Sequence, residues 1–247
     1  MYIHKKVSMD IDGNDLLLKV GNPSSPEEKR AMHSLRYDVY ADNGYINPNK
    51  YEDSLEKDYY DTLDSTEYYI STVNDKLVGT CRTICDHPLP TRKAFDFEEP
   101  NEIKQLPKDE TFEIGRLVIT PYNQKKGVHP PKGITLLFLF EAILQNELED
   151  KMGGYAFIKT SLQKKLESRS IPFHKIEDFN LNVKEDNNLY RYFTQKKDPV
   201  IPVFFKVNEV GKYIQLFTEN PLVFKQVEDK ELKLRNLSYQ IIRYFYN

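Results

Sequence analysis

Tryptophan is absent from this 247-residue sequence, and cysteine occurs only twice, at Cys81 and Cys85. Two cysteines make no disulfide framework. Four residues apart on one strand, they would share a face but lie too far apart along it to be bridged. Both are expected as reduced thiols in a cytoplasmic protein. Long hydrophobic runs are missing too. The longest, Ile134 to Phe140, falls well short of the ~18 residues that suggest a membrane span. The opening Met1-Tyr2-Ile3-His4-Lys5-Lys6 has no apolar signal-peptide core, so no transmembrane segment is expected. Neither sign of charge dominates: 35 Lys and Arg stand against 38 Asp and Glu, a net charge of -3. That balance offers no global field for nucleic acid, and no nucleic-acid partner is expected.

Catalytic signatures are equally sparse. There is no G-x-S-x-G nucleophile elbow, no Walker loop and no dinucleotide fingerprint. His4, His33, His87, His129 and His174 are scattered without metal-ligand spacing, so no metal site is expected. Acyl transfer through a covalent Ser or Cys has little support. Direct attack of an amine on a bound thioester stays open. That reaction needs positioning, a route for the amine proton and a dipole at the carbonyl oxygen, but no nucleophilic side chain.

What is present reads as one domain over residues 1–247, since no repeat or Pro/Gly/Ser-rich linker divides the chain. Leu16 to Val20 predicts a strand. Ser25-Pro26-Glu27-Glu28 predicts a helix start, with Ser as N-cap and Pro at the first helical position. Met32, Leu35 and Val39 then recur at helical spacing, with Arg36 bordering that stripe. An acid-rich irregular segment, 47–67, precedes two strands, 68–73 and 77–84, joined by a short turn at Asn74-Asp75-Lys76. Residues 86–110 predict a loop with a short helix. A strand at 111–120, a buried helix from Gly133 to about Glu149 and a strand at 155–160 form a unit expected to be a parallel, right-handed crossover. A basic helix over 161–170, strands at 171–176 and 200–207, and a C-terminal helix carrying Leu234, Leu237, Ile241 and Phe245 complete the reading. The class is α/β: a mixed sheet with helices on both faces.

Four charged stretches carry the chemistry: Leu35-Arg36-Tyr37-Asp38-Val39-Tyr40, Glu56-Lys57-Asp58-Tyr59-Tyr60-Asp61, Val78-Gly79-Thr80-Cys81-Arg82 and Phe112-Glu113-Ile114-Gly115-Arg116-Leu117-Val118-Ile119. Charges on an otherwise apolar strand are costly to bury without partners. Here the signs match, with Glu56, Asp58, Asp61 and Glu113 available to Arg36, Arg82 and Arg116. Such a lattice can be purely structural. As a series, however, the four stretches resemble the acyl-homoserine-lactone synthases and the related long-chain N-acyl amino acid synthases, a branch of the GNAT N-acyltransferase superfamily. Arg36 and Tyr40 match the family's first helix, and Glu56, Asp58 and Asp61 match its E-x-D-x-x-D motif. Arg82 matches its hairpin Arg, and Glu113 and Arg116 match its central E-x-x-R. The resemblance covers about residues 14–170.

The resemblance implies a GNAT-like sheet whose parallel strands, 111–120 and 155–160, splay apart around a bulge, for which Gly115 is a candidate. A freed N–H among Leu117, Val118 and Ile119 would polarise the thioester carbonyl. Glu113 and Arg116 are the expected catalytic pair, with Glu113 taking the amine proton. Arg36, Tyr40, Glu56, Asp58, Asp61 and Arg82 are expected to shape the acceptor pocket. No tightly bound cofactor is implied, and the co-substrate is an acyl-thioester. The stretch Gln124 to Gly133 has one Gly and then Pro130-Pro131, which offer no N–H to a pyrophosphate. The pantetheine of an acyl carrier protein is therefore expected ahead of coenzyme A. Lys125, Lys126, Lys132, Lys164, Lys165 and Arg169 provide a basic face for that acidic partner, or are ordinary exposed charges. The absent Trp, which the lactone synthases place after the first helix, tilts the acceptor toward an amino acid or similar small amine and away from S-adenosylmethionine. A lactone synthase, an acetyl-CoA-dependent acetyltransferase and a non-catalytic acyl-binding module are the rival readings.

Overall fold

A computed structural model describes residues 1–11, 13–120, 132–146 and 150–235. In chain order the elements are β1 (Tyr2–Ile11), β2 (Asn14–Asn22), α1 (Pro26–Asp42), β3 (Thr66–Val73), β4 (Lys76–Ile84), α2 (Pro90–Ala94), β5 (Phe95–Phe97) and α3 (Asn101–Lys104). They continue with β6 (Thr111–Ile119), α4 (Lys132–Asn146), β7 (Gly153–Lys159), α5 (Thr160–Glu167), β8 (Phe173–Lys175), β9 (Phe179–Leu181), α6 (Tyr190–Phe193), β10 (Val200–Lys206), α7 (Val207–Thr218), β11 (Phe224–Glu228) and β12 (Glu231–Leu234). Ten of the strands form one mixed sheet in the order β11-β12-β1-β2-β3-β4-β6-β7-β10-β8.

Local chemistry sets several of these boundaries. The Ser25 hydroxyl accepts from Glu28 N–H at 3.2 Å, capping α1 ahead of its Pro26. Asn74 and Asp75 both take positive φ, at 46° and 64°, the two-residue turn whose twist suits a hairpin. Strand β1 was not foreseen. Its His4, Lys5 and Lys6 break a clean alternation, but pairing with β2 along its whole length recruits it. Leu234 ends β12 and lies in no helix. Leu237, Ile241 and Phe245 lie outside the described residues.

Helices cover both faces. α4 and α7 bury Leu137, Phe138, Val210 and Ile214 against one side of the sheet. On the other side Tyr40 of α1, Ala94 of α2 and Phe193 of α6 pack with Phe95, Tyr155 and Phe204. Full burial of each such side chain contributes roughly 2 kcal/mol. The buried face of α1 is Met32, His33, Arg36 and Tyr40, with Leu35 and Val39 half-buried. Arg36 therefore sits in the middle of the stripe and does not border it.

Strands β6 and β7 are parallel, but they pair only from Thr111–Glu113 to Gly153–Tyr155. Gly154 permits that approach, because a Cβ there would lie 2.1 Å from Phe112 O. Beyond Glu113 the two strands share no ladder, while β7 stays paired with β10 out to Lys159. The result is a wedge open toward the carboxyl ends of both strands. The bulge falls at Arg116, one residue beyond the expected Gly115. Between the pairs Thr80–Val118 and Arg82–Gly115 the register shifts, and Arg116 takes φ 53°. This extra residue inverts the alternation. Phe112 and Ile114 face the core under α4, and so do Leu117 and Ile119. Arg116 and Val118 thereby come onto the α1 face, the face that Glu113 occupies.

Candidate active site

The acidic motif is held by its own backbone. Asp58 caps a short 3-10 turn at Tyr59–Thr62, accepting from Tyr60 N–H at 2.9 Å, while Asp61 accepts from Asp58 N–H at 2.8 Å. Glu56 is fixed one turn earlier, its N–H donating to His33 O at 3.2 Å. The spacing of the three acids thus presents three carboxylates toward the sheet, where three arginines meet them.

The six side chains form a closed ring of alternating charge. Arg36 gives a bidentate pair to Asp61, at 3.0 and 2.9 Å, and its Nε donates to Glu56 at 2.6 Å. Asp61 also meets Arg82 at 2.8 Å. Arg82 gives a bidentate pair to Asp58, at 2.8 and 2.7 Å. Arg116 closes the ring, bridging Asp58 and, at 3.1 Å, Glu56. The planar fork of Arg makes this double engagement possible, which an ammonium does not. All three arginines are buried. Burial alone would push the Asp58 and Asp61 carboxyls up. The Arg116 and Arg82 guanidiniums outweigh it at Asp58, as Arg36 does at Asp61, and both acids stay below their usual range. Burial likewise works against Arg36, and Glu56 and Asp61 overcome it to raise Arg36 above its ordinary value. Tyr40 completes the wall, its ring 6.0 Å from the Arg116 guanidinium.

Glu113 stands outside the ring. The expected ion pair with an arginine is not formed. Its carboxylate accepts from Thr91 N–H at 2.6 Å instead, and the residue is 1% exposed. Burial raises its carboxyl to about 8, against the smaller opposing pulls of Thr91, Arg82 and Arg116. Each of the three arginines is already paired with two acids of the 56–61 segment. A buried carboxyl with its pKa near working pH is the electrostatic profile of a general acid–base group.

The cavity measures about 540 Å³. Asp58, Arg82 and Arg116 form its charged floor, Tyr60 and Phe157 contribute aromatic walls, and Lys93 of α2 and Lys184 add cations. Its outer side is the segment 182–193, including Val183, Leu189 and Phe193. That wall, the Thr91 contact and the role of α2 carry no sequence motif, and the wall lies beyond the 14–170 stretch that the family pattern covers. Among the described residues no group of three or more His, Cys, Asp or Glu is arranged to hold a metal ion.

Residues 31–145 match the family model described as N-acyl amino acid synthase FeeM. The chain is an N-acyltransferase of the GNAT fold. No curated protein matches it. Among solved structures, the AHL synthase LasI superposes with a TM-score of 0.51 at 15% identity, covering 78% of this chain and 90% of that one. FeeM, an N-acyl amino acid synthase from uncultured soil microbes, gives 0.49 at 14% identity, covering 81% and 95%. BjaI, a CoA-dependent acyl-homoserine lactone synthase, gives 0.49 at 11% identity, covering 97% and 99%.

In this N-acyltransferase, α4 and α5 both start beyond the carboxyl ends of β6 and β7, at the open end of the wedge. Lys164 and Lys165 are exposed on α5, and Arg169 follows it, its guanidinium donating to Lys165 O at 3.0 Å. Lys132 begins α4. Burial first, then the neighbouring charge of Lys165, lowers its pKa. Lys132 thus lies near Lys165, and Lys164 and Arg169 belong to α5 and the residues just after it. Lys125 and Lys126 lie outside the described residues. Leu117 and Ile119 face the α4 side of the wedge and Val118 the cavity side. Among the described residues no helix is long and apolar enough to cross a membrane.

Proposed function

We propose that the N-acyltransferase moves an acyl group from an acyl carrier protein thioester to the amine of an amino acid or similar small molecule. The amine attacks directly, with no acyl-enzyme. The reading rests above all on the exclusion of Glu113 from the charged ring, which leaves a buried carboxyl free to take a proton. The thioester enters by the wedge, its pantetheine taking the place of the missing β6–β7 ladder, and backbone N–H groups around Leu117 to Ile119 polarise its carbonyl. The acceptor occupies the cavity, its amine toward Arg116 and Glu113, and Lys93 and Lys184 supply positive charge for a carboxylate. The ring of Arg36, Arg82, Arg116, Glu56, Asp58 and Asp61 holds the floor rigid, and Tyr40 backs it. The basic side chains of Lys132, Lys164, Lys165 and Arg169 suit an acidic carrier protein, and Pro130-Pro131 offers coenzyme A no pyrophosphate cradle.

The test is incubation of the protein with acyl carrier proteins of several chain lengths and a panel of amino acids. Free thiol is followed, and products are identified by mass spectrometry. Amine-dependent thiol release and N-acyl amino acids are expected. Acyl-homoserine lactone formed from S-adenosylmethionine, with no N-acyl amino acid, would replace the acceptor. Tight acyl binding with no thiol release at any chain length would make the chain an acyl-binding module.

A further inference from the structure

A second cavity, of about 610 Å³, lies on the other side of the sheet from Glu113 and the charged ring, between α4, α7 and the strands β1, β11 and β12. Its volume is in the range of small-molecule sites. Leu144 of α4, Ile214 of α7, Phe224 of β11 and Leu232 of β12 give it an apolar lining. Gly211 of α7 helps to keep it open. A Cβ there would meet only Leu144 Cδ1, at 3.9 Å. No packing contact therefore requires a glycine in this helix, where it is less favourable than Ala.

The polar groups of this cavity are unbalanced. Glu141 of α4 lines it and is 5% exposed. Its Oε1 accepts from Lys5 Nζ at 3.1 Å and from Gln145 Nε2 at 3.0 Å. Its Oε2 is buried with no hydrogen-bond partner among the described residues. Burial raises the carboxyl above its ordinary range, against the pulls of Lys5 and Gln145. A buried acceptor left open is unfavourable unless a donor completes it. The terminal torsion of Glu is broad, so the oxygen turns easily toward an occupant. The rest of the lining adds acceptors. Gln215 donates its amide to Glu219 at 2.9 Å, and Gln226 donates to the carbonyls of Glu228 and Asp229. Among the described residues lining the cavity, Lys5 is the one cation, against Glu141 and Glu219.

We propose that this cavity binds a small primary amine with an apolar tail, its ammonium held by the Glu141 carboxylate and its tail by Leu144, Ile214, Phe224 and Leu232. One added positive charge balances the two acids against Lys5. It gives Oε2 a donor and leaves the Lys5–Glu141 pair in place. An occupant with a carboxylate head would meet two acids, and a neutral one would leave the charge surplus standing. The site lies apart from the acceptor cavity and does not depend on the N-acyl-transfer reading. Because the Lys5–Glu141 pair also ties β1 to α4, Gly211 is the cleaner place to perturb the cavity.

The probe is n-hexylamine, with 1-hexanol and hexanoate as the neutral and charge-reversed controls of equal length. Titration calorimetry on the full chain should show hexylamine binding ~10-fold or more tighter than either control. Glu141→Gln should weaken it by a similar ~10-fold or more. Gly211→Leu fills the cavity from a helix that gains by losing its glycine, so it should melt no lower than wild type yet lose the binding ~10-fold or more. Gly211→Ala should keep the binding within about threefold. At about ten times Kd, hexylamine should raise the wild-type Tm by roughly 3 °C and leave that of Gly211→Leu unmoved. Hexylamine binding that survives intact in a folded Gly211→Leu, as binding in the acceptor cavity would, overturns the proposal. So do equal affinities for the three probes, or no hexylamine binding at all, either of which leaves the Lys5–Glu141 pair as a tie between β1 and α4.

Discussion

Removing Arg36 should be among the most destabilising single changes in the protein. Its guanidinium makes three hydrogen bonds to two carboxylates that are themselves buried, Glu56 fully and Asp61 to 2% side-chain exposure. Arg36→Met keeps most of the apolar stem and deletes the charge. Glu56 would keep only Arg116 as a counter-charge, and Asp61 only Arg82. Breaking a buried pair from one side costs about 3–5 kcal/mol, because the surviving charge is left undercompensated. For a chain of this size that corresponds to a fall in Tm of roughly 10 °C. Arg36→Lys should recover little, since one ammonium cannot reproduce a bidentate contact and an Nε contact together. Urea unfolding at pH 7 measures the loss as a lowered midpoint at unchanged slope. Asp61 is held below its usual range, so its contribution is present above the ordinary carboxylate pKa and is lost as pH falls through the depressed one. The gap between wild type and Arg36→Met should therefore narrow in strong acid. A loss under about 1 kcal/mol, the worth of an exposed ion pair, would show that the ring is open to water and the burial argument wrong.

Three further outcomes follow from the same geometry. Glu113 keeps its proton up to about 8 when folded but releases it near 4.5 when unfolded, so the folded state binds more protons between those values and stability falls as pH rises through them. Glu113→Gln should remove that decline and gain on wild type by up to roughly 5 kcal/mol at pH 9, read by thermal melting across pH; parallel curves would refute it. Gly154→Ala should destabilise the β6–β7 junction, since its Cβ would meet Phe112 O at 2.1 Å; an unchanged melting curve would mean the two strands part more easily than their pairing indicates. The double variant Lys164→Glu/Lys165→Glu should raise KM for an acyl carrier protein about tenfold or more in low salt and leave KM for a short acyl-pantetheine thioester unchanged; equal effects on both donors would remove these lysines from carrier docking.

The charged ring was legible in the sequence because its members are of a kind that apolar strands and helix stripes rarely tolerate alone. Arg36, Arg82 and Arg116 had to find acids, and the 56–61 run was the dense source. Its closure was not legible, since the count of acids exceeded that of arginines by one, and only three-dimensional geometry decides which acid is left out. That residue proved to be Glu113. The parallel crossover was readable from strand and helix periods, but the exact bulge residue was not. A Gly attracts the assignment, while the structure places positive φ on Arg116, where the ion pairs to Glu56 and Asp58 hold the strained backbone. The outer wall at 182–193 was invisible for a different reason. It is mostly exposed polar chain, with no period to report what it faces.

The most direct test of the account is the pH dependence of kcat/KM for amine acylation, compared between wild type and Glu113→Gln. With Glu113 as the proton acceptor, the wild-type rate should rise with pH through an ionisation near 8, and that ionisation should vanish in a folded Glu113→Gln that is slowed ~100-fold or more. A folded Glu113→Gln with the same profile and near wild-type rate would contradict the account.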